Sequence, residues 1–251
     1  MGEPIDEALP ASATAHIAWS DQAKPKVRGP GTVGISALCG LAKRFYVLLT
    51  RHDRSAFRPR VDFINTQPLP PDLEQRLVSR LQEAVPEFDV VIVSDQAETS
   101  AGGVVTAAVR DCAAQLAERF PEKVFWVDSR ERPEHFRHVI VKPNEEEARR
   151  ACLRAFGDVD FARLRALIGA PLLVVTHGGK GVLLLSPQGQ TWVETNPVAN
   201  PVDICGAGDS FSAGAAVALS LTGDARLAAE VGNRVASITI MKKGTGTASP
   251  E

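Results

Sequence analysis

The chain has 251 residues, 44% of them apolar and 23% charged, with 28 Lys and Arg against 30 Asp and Glu for a formal net charge of −2. That length fits one large α/β domain or two small ones, and the composition is ordinary for a globular protein. A near-neutral balance leaves no basic footprint for nucleic acid or for an anionic membrane; no apolar run reaches transmembrane length, and no basic leader with an apolar core opens the chain. Cys39, Cys112, Cys152 and Cys205 are scattered without metal-ligand spacing, which fits reduced thiols and a cytoplasmic location.

Residues 1–28 are rich in Ala, Pro and charge and are expected to be poorly ordered or loosely docked, with one domain over 29–251. A glycine-rich run, Gly29 to Gly34, leads into a small-residue helix. Strands are expected over 45–50 and 61–64, with a basic, irregular stretch over 51–60 carrying Arg51, Arg54, Arg58 and Arg60 between them. An amphipathic helix follows over 72–85, with Leu73, Leu77, Leu81 and Ala84 on one face. From there apolar strands (89–94, 123–127, 138–141, 172–176, 181–185, 191–194) alternate with helices (104–120, 145–156, 161–168, 209–221, 225–241). Continuous apolar strands with intervening helices imply a mostly parallel, doubly wound sheet covered on both faces, with ligands beyond the carboxyl ends of its strands.

The most informative stretch is Asp203-Ile204-Cys205-Gly206-Ala207-Gly208-Asp209-Ser210-Phe211. Gly206 to Gly208 make a tight turn, and Phe211, Ala215 and Leu219 recur at helical spacing after it. The turn thus opens a helix, where unbonded amides and the positive dipole end attract an anion. Asp209 is either a helix cap or a general base that takes a proton from an attacking hydroxyl. Cys205 reads as a buried filler in preference to a reactive thiol.

Further motifs follow predicted strands. In Lys142-Pro143-Asn144-Glu145-Glu146-Glu147, the capping-box spacing of Asn144 and Glu147 is explained by a helix start alone, and the same pair is also able to organise Mg²⁺ beside phosphates. Thr176-His177-Gly178-Gly179-Lys180-Gly181 is a hairpin turn or a phosphate loop, in which Lys180 reads as solvated. Asp95 and Asp128 end strands on the presumed ligand side, where a carboxylate binds sugar hydroxyls, holds a basic partner or simply caps the strand end. Gly29 to Gly34 formally fits G-x-G-x-x-G, the mark of a dinucleotide oxidoreductase, but the residues before it do not read as a buried strand.

D-x-x-G-A-G-D-[ST]-F, K-P-N-x-x-E and T-x-G-x-x-G together resemble the PfkB/ribokinase-like carbohydrate kinases. The tail Gly244-Thr245-Gly246-Thr247-Ala248-Ser249-Pro250-Glu251 and the strand end Val93-Ser94-Asp95 look most like the heptose-phosphate kinase branch. The resemblance implies a ribokinase-like three-layer α/β/α fold, with the small lid reduced or absent. It implies Asp209 as general base, an anion hole over Gly206, Ala207 and Gly208, and Asn144 and Glu147 as Mg²⁺ organisers. ATP would contact Thr176, Gly178, Gly181, Asn233, Gly244 and Gly246, and the acceptor Gly29, Gly31 and Asp95. ATP and Mg²⁺ are the expected cofactors and a small sugar or sugar phosphate the expected acceptor, with a homodimer among the expected assemblies; the basic stretch at 51–60 either grips an acceptor phosphate or is solvated surface. With the chain ending at Glu251, no fused second activity is expected after the kinase portion. The resemblance runs from about residue 89 onward; the family's opening strand, Gly-Gly pair and neighbouring Asn are missing, and Gln96 and Glu98 stand where the heptose branch has an aromatic and a lysine. A non-catalytic nucleotide or sugar-phosphate binding module is the competing expectation.

Overall fold

The computed structural model describes residues 45–51, 59–97, 102–244 and 248. Residues 1–28 and the Gly29–Gly34 run, with the expected acceptor contacts Gly29 and Gly31, lie outside them. The chain divides into two units, residues 1–68 with 99–103 and residues 69–98 with 104–251, so the single domain expected over 29–251 spans both. In the first unit, β1 (Phe45–Arg51) pairs antiparallel with β2 (Pro59–Asn65), from Phe45 opposite Asn65 to Arg51 opposite Pro59.

The second unit is built on a six-stranded sheet in the order β3 (Val90–Asp95), β4 (Val124–Ser129), β5 (Ile140–Val141), β6 (Leu173–Thr176), β7 (Val182–Ser186), β8 (Gly189–Val193). The first four strands are parallel. Helix α2 (Ala107–Arg119) supplies the crossover between β3 and β4, α3 (Glu145–Phe156) and α4 (Phe161–Ile168) that between β5 and β6, while β4 and β5 are linked through a short 3-10 turn, Pro133–His135; α1 (Pro71–Ala84) precedes the sheet. The last two pairings are antiparallel. The links there are too short for a crossover, so the chain can only double back. Strand β5 is shorter than the expected 138–141 because His138 takes a left-handed φ of 59°, which breaks the extended run.

Alternation along the strands creates the layers. Phe125 and Val127 of β4 join one buried cluster with Val109 and Leu116 of α2, Ala151 of α3 and Leu164 of α4. Val124 and Trp126, one residue out of phase, join a second cluster with Phe211 and Ala215 of α5 (Ala207–Thr222) and Ala229 of α6 (Ala225–Thr239). Period-two side chains buried on both faces explain the unbroken apolar runs and give the three-layer α/β/α arrangement.

Helices α5 and α6 are drawn together by glycine. A Cβ on Gly214 would lie 2.8 Å from Val235 Cγ2, and one on Gly232 would lie 2.9 Å from the Phe211 ring. At the start of α5 the Thr239 hydroxyl donates to Ser210 Oγ at 2.8 Å. Among the described residues, no helix is long and apolar enough to cross a membrane.

Candidate functional site

The chain leaves β8 and reaches α5 through a turn held by Asp203. Its Oδ1 accepts the Cys205 N–H at 2.9 Å and its Oδ2 the Gly244 N–H at 3.1 Å. The backbone amides of Val202 and Asp203 both donate to Ile240 C=O. The turn is thereby fastened to the end of α6. Gly206 is the N-cap with φ 81°, a left-handed value that L side chains resist, and it offers no side-chain cap. The Ala207 N–H donates to Ile204 C=O at 3.2 Å. Ala207 was expected to share the anion hole, yet its amide is engaged; Gly208 and Asp209 follow in the first turn, where amides have no intrahelical acceptor. Asp209 is exposed, and Cys205, expected to be buried, is exposed as well.

Facing this turn is a buried ion pair. Lys142 follows β5 and its Nζ lies 3.0 Å from Asp128 Oδ2, with both side chains nearly enclosed. A Cβ on Gly208 would stand 3.7 Å from Lys142 Nζ and 3.9 Å from Asp128 Oδ2, so the pair forms the flank of the turn. A charge is tolerated in such a place only when paired. Sequence reasoning passed over Lys142; the available signal was a lysine prolonging the apolar run Val139-Ile140-Val141.

Helix α3 begins beside it with a full capping box. Asn144 Oδ1 accepts the Glu147 N–H and Glu147 Oε2 accepts the Asn144 N–H, each at 2.8 Å. Burial lifts the Glu147 carboxyl above the ordinary glutamate range; Asp128 adds to the rise, while the Asn144 N–H, Lys142 and Arg130 oppose it. A carboxylate desolvated next to a second one is a place where a cation is welcome. Among the described residues no group of three or more His, Cys, Asp or Glu gathers to hold a metal. Two carboxylates and an amide fit Mg²⁺, which keeps several waters and takes its other ligands from phosphates.

Thr176 ends β6, and its N–H donates to Pro143 C=O at 3.0 Å. The next residues make a short helical turn, Gly178–Lys180, with φ 58° at Gly178. At Gly181 φ is 127° and a Cβ would collide with Val193 O at 2.4 Å, so no side chain fits there. On α6, Asn233 has a buried Nδ2 without a hydrogen-bond partner, an amide donor available to a ligand.

These elements enclose one cleft of about 540 Å³. Gly206, Ala207, Gly208 and Asp209 line it from α5, Asn144 and Glu147 from α3, Thr176, Gly178 and Gly181 from the β6–β7 turn, and Asn233 from α6. Lys142, Asp128, Arg130 and Gln96, not assigned a place in the site beforehand apart from Asp128, line it too. Two expected residues are elsewhere. Gly244, beyond the end of α6 with a φ of 76°, donates its N–H to Asp203 and is not part of the cleft lining. Asp95 is 1% exposed and grips Arg132 through Oδ1 to Nη2 at 2.7 Å and Oδ2 to Nε at 3.1 Å, with Ser129 Oγ donating at 2.8 Å. Of its expected roles, the geometry displays the basic partner. Gly246 lies outside the described residues.

Residues 60–251 match the pfkB family carbohydrate kinase model. The chain is 32% identical over 203 residues to the bifunctional protein HldE of Trichlorobacter lovleyi, which covers 76% of this chain and 39% of that protein. It thus spans about two-fifths of such curated relatives. Solved structures share the fold: a ribokinase from Thermotoga maritima at 20% identity and TM-score 0.54, covering 80% of this chain and 64% of that one. An Arabidopsis thaliana ribokinase complexed with ribose and ATP aligns at 19% identity and TM-score 0.53, covering 74% and 60%. The fold is ribokinase-like, and the chain belongs to the pfkB family of carbohydrate kinases.

Proposed function

We propose that this chain transfers a phosphoryl group from ATP to a hydroxyl of a small sugar or sugar phosphate. The observation that carries the reading is Asp209, exposed on an uncapped helix start, sharing one cleft with Asn144, Glu147 and Thr176. Asp209 accepts the acceptor's proton as its oxygen attacks the terminal phosphorus, and the bond to the leaving ADP oxygen breaks. The first-turn amides of α5 and the Lys142 ammonium stabilise the negative charge on the moving phosphoryl oxygens. Asn144 and Glu147 would hold Mg²⁺, directly or through waters, and the ion would supply positive charge against the phosphates. Thr176 and the glycine turn after it receive the ATP phosphates, and Asn233 Nδ2 finds its missing acceptor on the nucleotide.

The test is ADP release from Mg-ATP with a panel of sugars, sugar phosphates and nucleosides, with Asp209→Asn as control. One acceptor that raises turnover in the native chain alone supports the proposal and names the substrate class. ATP binding without transfer to any of them speaks for a binding module instead.

A further inference from the structure

His177 occupies a position that motif matching leaves variable, yet it is tied on two sides. Its Nδ1 lies 3.0 Å from Glu145 Oε2, in the first turn of α3. Its ring packs on Trp192 of β8, centroids 5.0 Å apart and tilted 57°. Its own N–H donates to Gly181 C=O at 2.9 Å, closing the turn that carries Gly178. A shallower depression that shares Asn144, Thr176 and Gly178 with the cleft is lined by His177 as well. The side chain is 12% exposed, and its Nε2 is buried without a hydrogen-bond partner.

That last fact argues against a packing role. A buried polar nitrogen without a partner costs stability, and a leucine would fill the space beside Trp192 without that cost. What a leucine cannot do is reach Glu145. We infer that His177 is a positioning residue, a clamp between the start of α3, which carries Asn144 and Glu147, and the β6–β7 turn, which carries Thr176 and Gly178. The backbone already joins these segments through Thr176 N–H and Pro143 C=O and an isolated parallel bridge between Asn144 and Thr176. His177 adds the side-chain tie that sets their spacing, with Trp192 as the backstop that keeps the ring from swinging away. Because the two segments form the metal-organising and phosphate-binding walls of the proposed kinase site, the inference rests on that reading for its consequence, though not for its geometry.

The experiment compares His177→Leu with His177→Asn, whose amide nitrogen stands near the Nδ1 position, in the full chain. In the leucine variant the KM for Mg-ATP should rise about tenfold, with kcat altered less than about twofold, as expected when walls that bind ground and transition state alike lose their spacing. The asparagine variant should recover most of the loss. Without nucleotide, amide hydrogen exchange over residues 143–148 and 176–181 should quicken in the leucine variant and return toward native in the asparagine variant. Unchanged exchange in the leucine variant, or a loss that asparagine fails to repair, overturns the clamp. A native chain that binds no Mg-ATP defeats the kinase reading alone, since the exchange comparison still decides the clamp.

Discussion

Two helices begin at the same cleft and treat their free amides in opposite ways. At α3 the chain satisfies itself: Asn144 and Glu147 exchange bonds of 2.8 Å, and three glutamates crowd the first turn. At α5 the N-cap is a glycine without a side chain, at a φ of 81°, and one acid, Asp209, stands in the first turn. Capping is a stabilising habit of helices, so an uncapped start lined by glycine leaves its amides to whatever enters. The lesson is that α3 closes its first amides on its own side chains, whereas α5 leaves first-turn backbone open beside a single carboxylate, Asp209.

The sharpest way to break this contrast is at Asp209. Asp209→Asn should leave Mg-ATP affinity intact by calorimetry and lower kcat by about 10²–10⁴-fold, the usual worth of a positioned base. If turnover survives, Asp209 is a helix-end residue and the two starts differ only in capping. Next comes Gly206→Ala, which forces a side chain into left-handed φ and should cost about 1–2 kcal/mol. The control is Gly223→Ala at φ 66°, where an added Cβ meets nothing within 4 Å. Both should lower the melting temperature, and only the first should slow turnover.

Asn144→Ala should remove about 1 kcal/mol by losing the cap, while Asn144→Asp keeps it. Urea unfolding measures both. Should ADP release recover in the aspartate variant together with stability, Asn144 acts as a cap; recovered stability with poor turnover points to the metal. The smallest effect on stability is expected from Glu147→Gln, because glutamine also completes a capping box. The raised pKa of Glu147 means that its ionised form is disfavoured by folding. Relative to the glutamine variant, the native chain should therefore be best off below the ordinary glutamate pKa. It should lose ground as pH climbs through the raised value and change no further beyond it. Melting temperatures of the two proteins from acid to neutral pH would expose the opposite slope if the sign were wrong.

What the sequence revealed and what it hid have physical reasons. Strands such as β4 and β6 were legible because burial on both faces writes an unbroken apolar run, and α3 because its cap signals are local. Asp209 and Asn144 were legible since each sits in a short motif. The Lys142–Asp128 pair was not, because the two meet only when β4 and β5 align in register. Asp203 looked like one more motif position until it was seen to bond Gly244 at the far end of α6. His177 gained its partners from a helix and a strand that no spacing rule connects to it. The short β5 depended on one left-handed residue, His138, which nothing in its type announces.

The glycine contact between α5 and α6 has a consequence for measurement inside the cleft. Gly232 presses on Phe211, two residues after Asp209, and is followed at once by Asn233. The two cleft residues are thus graduations on one stiff ruler, set by the distance of closest approach of two backbones. A side chain at 232 would push against Phe211 and so change the separation of the two marks.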